Sequence, residues 1–202
     1  MNRYAKTFGI AALALLPALA NAQSSNPKQF SLGVSGGASF PTGDFGTGTN
    51  TGYSISGHLY LLPPQLPNVG FRGDVSYDHW GFKGVAGSSV VDGNAHTLAV
   101  TGNIMLKVSS PASVFHPYLI AGAGGYNTKA SAAGFTDNGT TNFGLQGGVG
   151  FEFGLSGFST FIEAKFVNVF AKNSDNAYSV GSGGSGTSSS QRYIPVTFGI
   201  RF

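Results

Sequence analysis

The segment that most constrains this chain is "YIPVTFGIRF", residues 193–202. Ile194, Val196, Phe198, Ile200 and Phe202 share one parity, while Tyr193, Pro195, Thr197, Gly199 and Arg201 share the other. A period of two belongs to a strand, whose successive side chains point to opposite faces. The segment therefore reads as a strand with one apolar face, and a bulky aromatic, Phe202, stands within its alternation.

The same pattern recurs along the chain between turn-rich stretches. Residues 30–40 set Phe30, Leu32, Val34, Ala38 and Phe40 against Ser31, Gly33, Ser35, Gly37 and Ser39. Residues 52–61 set Tyr53, Ile55, Leu59 and Leu61 against Ser54, Ser56, His58 and Tyr60. Near 70–80, Phe71, Val75 and Tyr77 oppose Arg72, Asp74, Ser76 and Asp78. Near 95–107, Leu98, Val100, Ile104 and Leu106 oppose Thr97, Thr101, Asn103 and Lys107. Residues 142–153 set Phe143, Leu145, Val149, Phe151 and Phe153 against Gly144, Gln146, Gly148 and Glu152. Residues 158–169 set Phe158, Ile162, Ala164 and Phe166 against Ser159, Phe161, Glu163 and Lys165. The remaining segment, "HPYLIAGAGGY" (116–126), is apolar or small on both parities and has no readable orientation. Eight strands predict an all-β fold, an eight-stranded antiparallel up-and-down barrel.

The connections alternate in length. Long polar ones near 41–51, 81–94, 128–141 and 171–190 follow the odd-numbered strands, and short pieces near 62–69, 108–114 and 154–157 follow the even ones. Long loops on one rim and short turns on the other is the arrangement of a transmembrane barrel, with both termini on the short-turn, periplasmic side. The low-complexity "GSGGSGTSSS" (181–190) belongs to the last long loop, since only one strand follows it.

Charge decides which face meets which solvent. Charged residues make up 9% of the chain, against about 25% in an ordinary soluble domain. Arg72, Asp74, Asp78, Lys107, Glu152, Glu163, Lys165 and Arg201 all fall on the polar parity of their strands. The apolar parity carries only Arg192, at a loop end, where it can snorkel. A soluble barrel would put its apolar rows inside and scatter many charges outside. Here the apolar rows are clean, as lipid contact requires, because a basic residue near the bilayer midplane costs about 2–4 kcal/mol. The eight charges are accordingly expected as lumen-lining ion pairs, acids facing bases in a narrow interior filled by side chains. Such an interior is expected to be plugged, which argues against a general porin.

The front of the chain agrees. Arg3 and Lys6 precede an apolar run from Phe8 to Leu19, followed by Ala20-Asn21-Ala22. The run is too short to span a bilayer, which takes about 20 residues. This order predicts a signal peptide over 1–22, cleaved at the Ala20-x-Ala22 site, and a barrel domain over 23–202. There is no cysteine, hence no disulfide framework. Without Arg3 and Lys6 the chain has nine basic and eight acidic side chains, a net charge of +1, and no basic patch that would hold nucleic acid.

The signal peptide, "HPYLIAGAGGY", "FIEAKF" and "YIPVTFGIRF", in this order, resemble the small outer-membrane β-barrel domain, similar to the transmembrane part of OmpA-like proteins. In "FIEAKF", Glu163 and Lys165 match the inward acid–base pair of that family's strand. The resemblance implies a monomeric barrel in the cell outer membrane of a Gram-negative envelope, in contact with lipid and lipopolysaccharide. It also implies recognition of the last strand by the barrel assembly machinery, with Ile200 and Phe202 as the signal. The glycine often found five residues before the final aromatic is replaced by Thr197, with Gly199 nearby. Ending at the barrel, the chain is expected to lack the peptidoglycan-binding domain of larger relatives.

Some small outer-membrane barrels modify lipid or cleave peptides with rim Ser, His and carboxylate groups. His79 and His96 fall near the outer ends of strands three and four, with Asp78, Ser88 and Ser89 close in sequence; His58 and His116 complete the histidines. No nucleophile motif such as G-x-S-x-G surrounds them. The glycine runs lack the Lys-Ser/Thr of a phosphate loop. No metal-ligand spacing is present. The expectation is a non-enzymatic barrel without cofactor or metal, acting through its surface loops, with a lipid-modifying enzyme or a narrow solute channel as the alternatives.

Overall fold

The structure is a computed structural model that describes residues 30–82, 93–108, 115–132, 135–136, 139–170 and 190–202. The expected leader, with Ala20 and Ala22, lies outside the described residues, as do Ser88 and Ser89. The elements are β1 (Phe30–Thr42), α1 (Gly43–Gly48), β2 (Gly52–Leu61), β3 (Val69–Gly81), β4 (Gly93–Lys107), β5 (Phe115–Ala132), β6 (Phe135–Thr136), β7 (Thr140–Gly154), β8 (Ser159–Val169) and β9 (Gln191–Arg201).

Every strand pairs antiparallel with its chain neighbours, apart from β6, a two-residue extension that pairs only with the loop end of β5. The β1–β9 ladder, from Gly33↔Arg201 to Thr42↔Arg192, closes the sheet into an eight-stranded barrel. Closure gives each of the eight barrel strands a partner on both sides, so ladder N–H and C=O groups can pair without water. Phe202 lies just past β9, its N–H donating to Leu32 O at 2.8 Å.

Burial alternates with the sequence parity. On β8, Phe161, Glu163, Lys165 and Val167 are buried, and Ile162 and Phe166 are exposed. The exposed row continues around the barrel through Val34, Ile55, Val75, Val100, Leu119, Val149 and Phe198. A soluble monomer does not present a continuous apolar belt of this size to water.

The fifth strand, which the sequence left without orientation, places Tyr118, Ile120 and Tyr126 inside and Leu119 outside. Glycines on the next strand create the space for those rings. A Cβ at Gly150 would collide with the Tyr118 ring, and one at Gly144 with the Tyr126 ring. Phe161 on β8 lies across Gly199 on β9 in the same way. Inward aromatics laid over cross-strand glycines thus fill a lumen too narrow for two large side chains at one level.

The first long connection also differs from a plain polar loop. It forms α1, whose Phe45 meets the Trp80 ring edge-on at 5.1 Å. Trp80, fully buried, packs on Tyr193 at 4.8 Å and donates from Nε1 to Ser39 O at 3.2 Å. With Ala95, Ala99, Val167 and Val169, these rings fill the long-loop end of the lumen. Tyr60, Met105, Tyr118 and Ile120 fill the other end.

Candidate functional site

Between these two apolar plugs lies the charged layer. Arg72 is its hub. The guanidinium donates from Nη1 to Glu163 Oε2 at 2.7 Å and from Nη2 to Glu163 Oε1 at 2.8 Å, a bidentate pair that crosses the lumen from β3 to β8. Nη2 also donates to Asp74 Oδ2 at 2.9 Å, and Nε lies 2.8 Å from Asp74 Oδ1 as a charge contact. Lys165 Nζ stands 3.5 Å from both Asp74 and Glu163. Two cations and two anions therefore balance in a space where Arg72 and Glu163 are each only 1% exposed. Buried charges are tolerable only when paired and hydrogen-bonded in this way.

Neutral groups complete the layer. Tyr118 Oη donates to Glu163 Oε2 at 2.8 Å, and Asn103 Nδ2 to Asp74 Oδ2 at 3.1 Å. Gln146 Nε2 bonds Asn103 Oδ1 at 2.5 Å and Thr101 Oγ1 at 3.0 Å. Nearer the short-turn end, Glu152 bridges Arg201, at 2.5 Å, and Lys107, at 3.4 Å. Tyr60 separates the two groups, with the Arg72 and Arg201 guanidinium carbons 5.6 and 5.4 Å from its ring centre. Such contacts are favourable because the ring faces are electron-rich.

Asp78 departs from the expected pairing. It is buried, yet among the described residues no basic group comes within ion-pairing distance of it. It lies beyond the charged layer toward the long-loop plug, where Tyr193 Oη donates to it at 3.5 Å. A cavity just large enough for one water separates this region from Lys165; Ser54, Ser56 and Thr197 help line it.

The lumen also holds an arrangement that sequence reading missed. Ser35 Oγ lies 2.9 Å from His58 Nε2, and His58 Nδ1 lies 2.9 Å from Asp74 Oδ1. The Asp74 carboxylate accepts from Nδ1–H, so the neutral imidazole accepts at Nε2 from the serine hydroxyl. That is the order of nucleophile, base and acid. Acyl transfer needs more: a vacant position about 3 Å from the hydroxyl, facing oxyanion donors, and a route for substrate. Ser35 is 7% exposed, and neither it nor His58 borders the small cavity. Asp74 is meanwhile shared with Arg72, Lys165 and Asn103. What the chain of bonds supplies is a fixed ring and tautomer within the packed layer.

The rim histidines take a different place. His79 and His96 lie on the outward parity, while Asp78 faces inward, so strand alternation puts that carboxylate on the other side of the wall.

Comparison with known proteins agrees with this architecture. Residues 8–169 match the family model described as the outer membrane protein beta-barrel domain. No curated protein matches the sequence. Among solved structures, Neisserial surface protein A superposes with a TM-score of 0.60 at 13% identity, covering 86% of this chain and 96% of that one. Ail, the attachment invasion locus protein of Yersinia pestis, gives 0.46 at 16% identity, covering 86% and 97%. The N-terminal barrel of Pseudomonas aeruginosa OprF gives 0.46 at 13% identity, covering 85% and 97%. The chain belongs to the outer-membrane β-barrel family, and its place is the outer membrane.

Proposed function

We propose that this member of the family is a non-conducting, non-enzymatic barrel whose packed interior holds the wall rigid while the long loops meet the exterior. The single observation behind this reading is the occupied lumen: a charge-balanced layer between two apolar clusters, and beside it a cavity just large enough for one water. A pore needs a continuous wet path, and a hydrolase needs a vacant site at its nucleophile. Lipid and lipopolysaccharide then contact the belt. The barrel assembly machinery recognises the last strand through Ile200 and Phe202, and the leader is removed after Ala22. The folded barrel acts as a monomer. Surface loops on a rigid scaffold are the usual carriers of interaction.

Two measurements test the reading together. Purified barrel in planar bilayers is expected to give no lasting conductance. Lipid A mass spectra of cells with and without the protein are expected to coincide. A stable single-channel current would replace this reading with a channel, and a changed acyl pattern would replace it with a lipid-modifying enzyme.

A further inference from the structure

The outer wall is not uniform from end to end. Among the described strand residues, the outward-facing groups that can carry positive charge are His79, His96, Lys129 and Arg192, all toward the long-loop end. No described Asp or Glu shares that face. Three of the four are lateral neighbours, since His79 pairs with His96 and His96 with Lys129. Tyr53 pairs with His79 from the other side.

Their rings form a continuous slab. Tyr53 stacks on His79 at 5.2 Å, Tyr53 meets Tyr77 at 6.3 Å, and Tyr77 meets His96 at 5.8 Å. Tyr53 is 46% exposed, and Lys129 is exposed at the slab's border. Height follows from strand geometry. Phe71 and His79 share the outer face of β3, eight residues apart. At about 3.4 Å per residue and a tilt of about 40°, they stand roughly 21 Å apart along the barrel axis. The apolar band of such barrels is about 25 Å tall, so the slab lies where hydrocarbon gives way to headgroups. An aromatic girdle is expected at both rims. The short-turn rim has its own, with Phe30, Phe71, Phe115, Phe151 and Phe153, and no outward cation among the described residues. A girdle therefore accounts for the rings, and leaves imidazoles and an ammonium gathered at one rim unexplained.

We propose that Tyr53, Tyr77, His79, His96 and Lys129 form a docking site for the phosphate monoester of an outer-leaflet lipid headgroup. Lys129 supplies a point charge, the imidazoles supply N–H donors, and the ring faces cover the apolar flank of the headgroup. The site rests on the reading of a barrel with its long loops outward, and adds the chemistry and position of one lipid contact.

The test uses the full refolded barrel in detergent, with native mass spectrometry as the readout. Phosphatidic acid is the phosphomonoester probe, phosphatidylcholine the comparison, and inorganic phosphate the competitor. Wild type is expected to retain phosphatidic acid over phosphatidylcholine, and millimolar phosphate to leave that retention unchanged. The combined His79→Gln, His96→Gln and Lys129→Gln variant should lose about tenfold of the preference, the loss of one to two charge-assisted bonds. Arg192→Gln, on the opposite wall, should keep it. Lys129→Gln alone, an exposed change that leaves folding intact, should show part of the loss. Undiminished preference in the triple variant, an equal loss in Arg192→Gln, or displacement by inorganic phosphate would each overturn the proposal. A wild type that inserts into vesicles without distinguishing the two lipids refutes this site alone. Failure to insert would refute the barrel reading beneath it.

Discussion

Glu163→Gln tests the charged layer at its most connected carboxylate. Glu163 takes two bonds from Arg72 and one from Tyr118, with Lys165 at 3.5 Å. The substitution keeps the volume and removes one negative charge, so Arg72, Lys165 and Asp74, all buried, are left with a net positive charge. Breaking a buried pair by removing one partner costs about 3–5 kcal/mol. Arg72 keeps Asp74, and the Gln carbonyl can still accept one bond, which places the expected loss at the low end, about 3 kcal/mol. With a urea dependence of about 2 kcal/mol per molar, the unfolding midpoint should fall by about 1.5 M. The chain has one tryptophan, Trp80, buried in the lumen, so its fluorescence reports unfolding of the barrel refolded in lipid vesicles. Adding Lys165→Met removes the surplus cation, and the double variant should recover part of the loss. Groups in one network couple by about 0.5–3 kcal/mol in such a cycle. A midpoint within 0.3 M (about 0.6 kcal/mol at the same slope) of wild type for Glu163→Gln, or strictly additive losses, would refute a charge-balanced layer.

Three further outcomes follow from the same geometry. Ile162→Lys places a cation on the outer face of β8 and should cost about 2–4 kcal/mol or block insertion, measured by refolding yield in vesicles; tolerance of it would mean that the strand faces the other way. Deleting Phe202 should lower outer-membrane levels in cells while leaving detergent refolding nearly intact, and normal levels would remove its role as an assembly signal. Protease added to intact cells should cut only near 41–51, 81–94, 128–141 and 171–190, whereas cleavage at 62–69 or 108–114 would invert the topology.

The barrel was legible because seven strands keep large apolar and polar groups on opposite parities. Strand five was not, because Leu119 and Ile120 weigh equally and small residues surround them. Its orientation comes from the neighbours, where Gly150 and Gly144 make room for Tyr118 and Tyr126. The charged residues were readable as a row, and their partners were not, since partners lie across the lumen. Asp78 shows the limit: its parity is that of Arg72 and Asp74, but it lies farther along β3, beside Tyr193. Ser35, His58 and Asp74 meet through register. His58 pairs with Asp74 on one side and with Gly33 on the other, so its ring reaches diagonally to Ser35. Nothing in the sequence spacing carries that stagger, although the polar parity of Ser35 and His58 was a usable signal.

The most direct measurement of the account is thiol accessibility along β4, in a chain that has no cysteine of its own. Single cysteines at Leu98, Val100 and Ile104 sample the outer face, and those at Thr97, Ala99 and Thr101 sample the lumen. In the membrane-embedded barrel, the first three should react with a lipid-soluble maleimide and not with a charged, water-soluble thiosulfonate. The second three, nearly isosteric replacements in a filled interior, should react with neither. Labelling of Thr97→Cys, Ala99→Cys or Thr101→Cys by the water-soluble reagent would reveal a wet, open lumen, and their labelling by the lipid-soluble one would turn the barrel inside out.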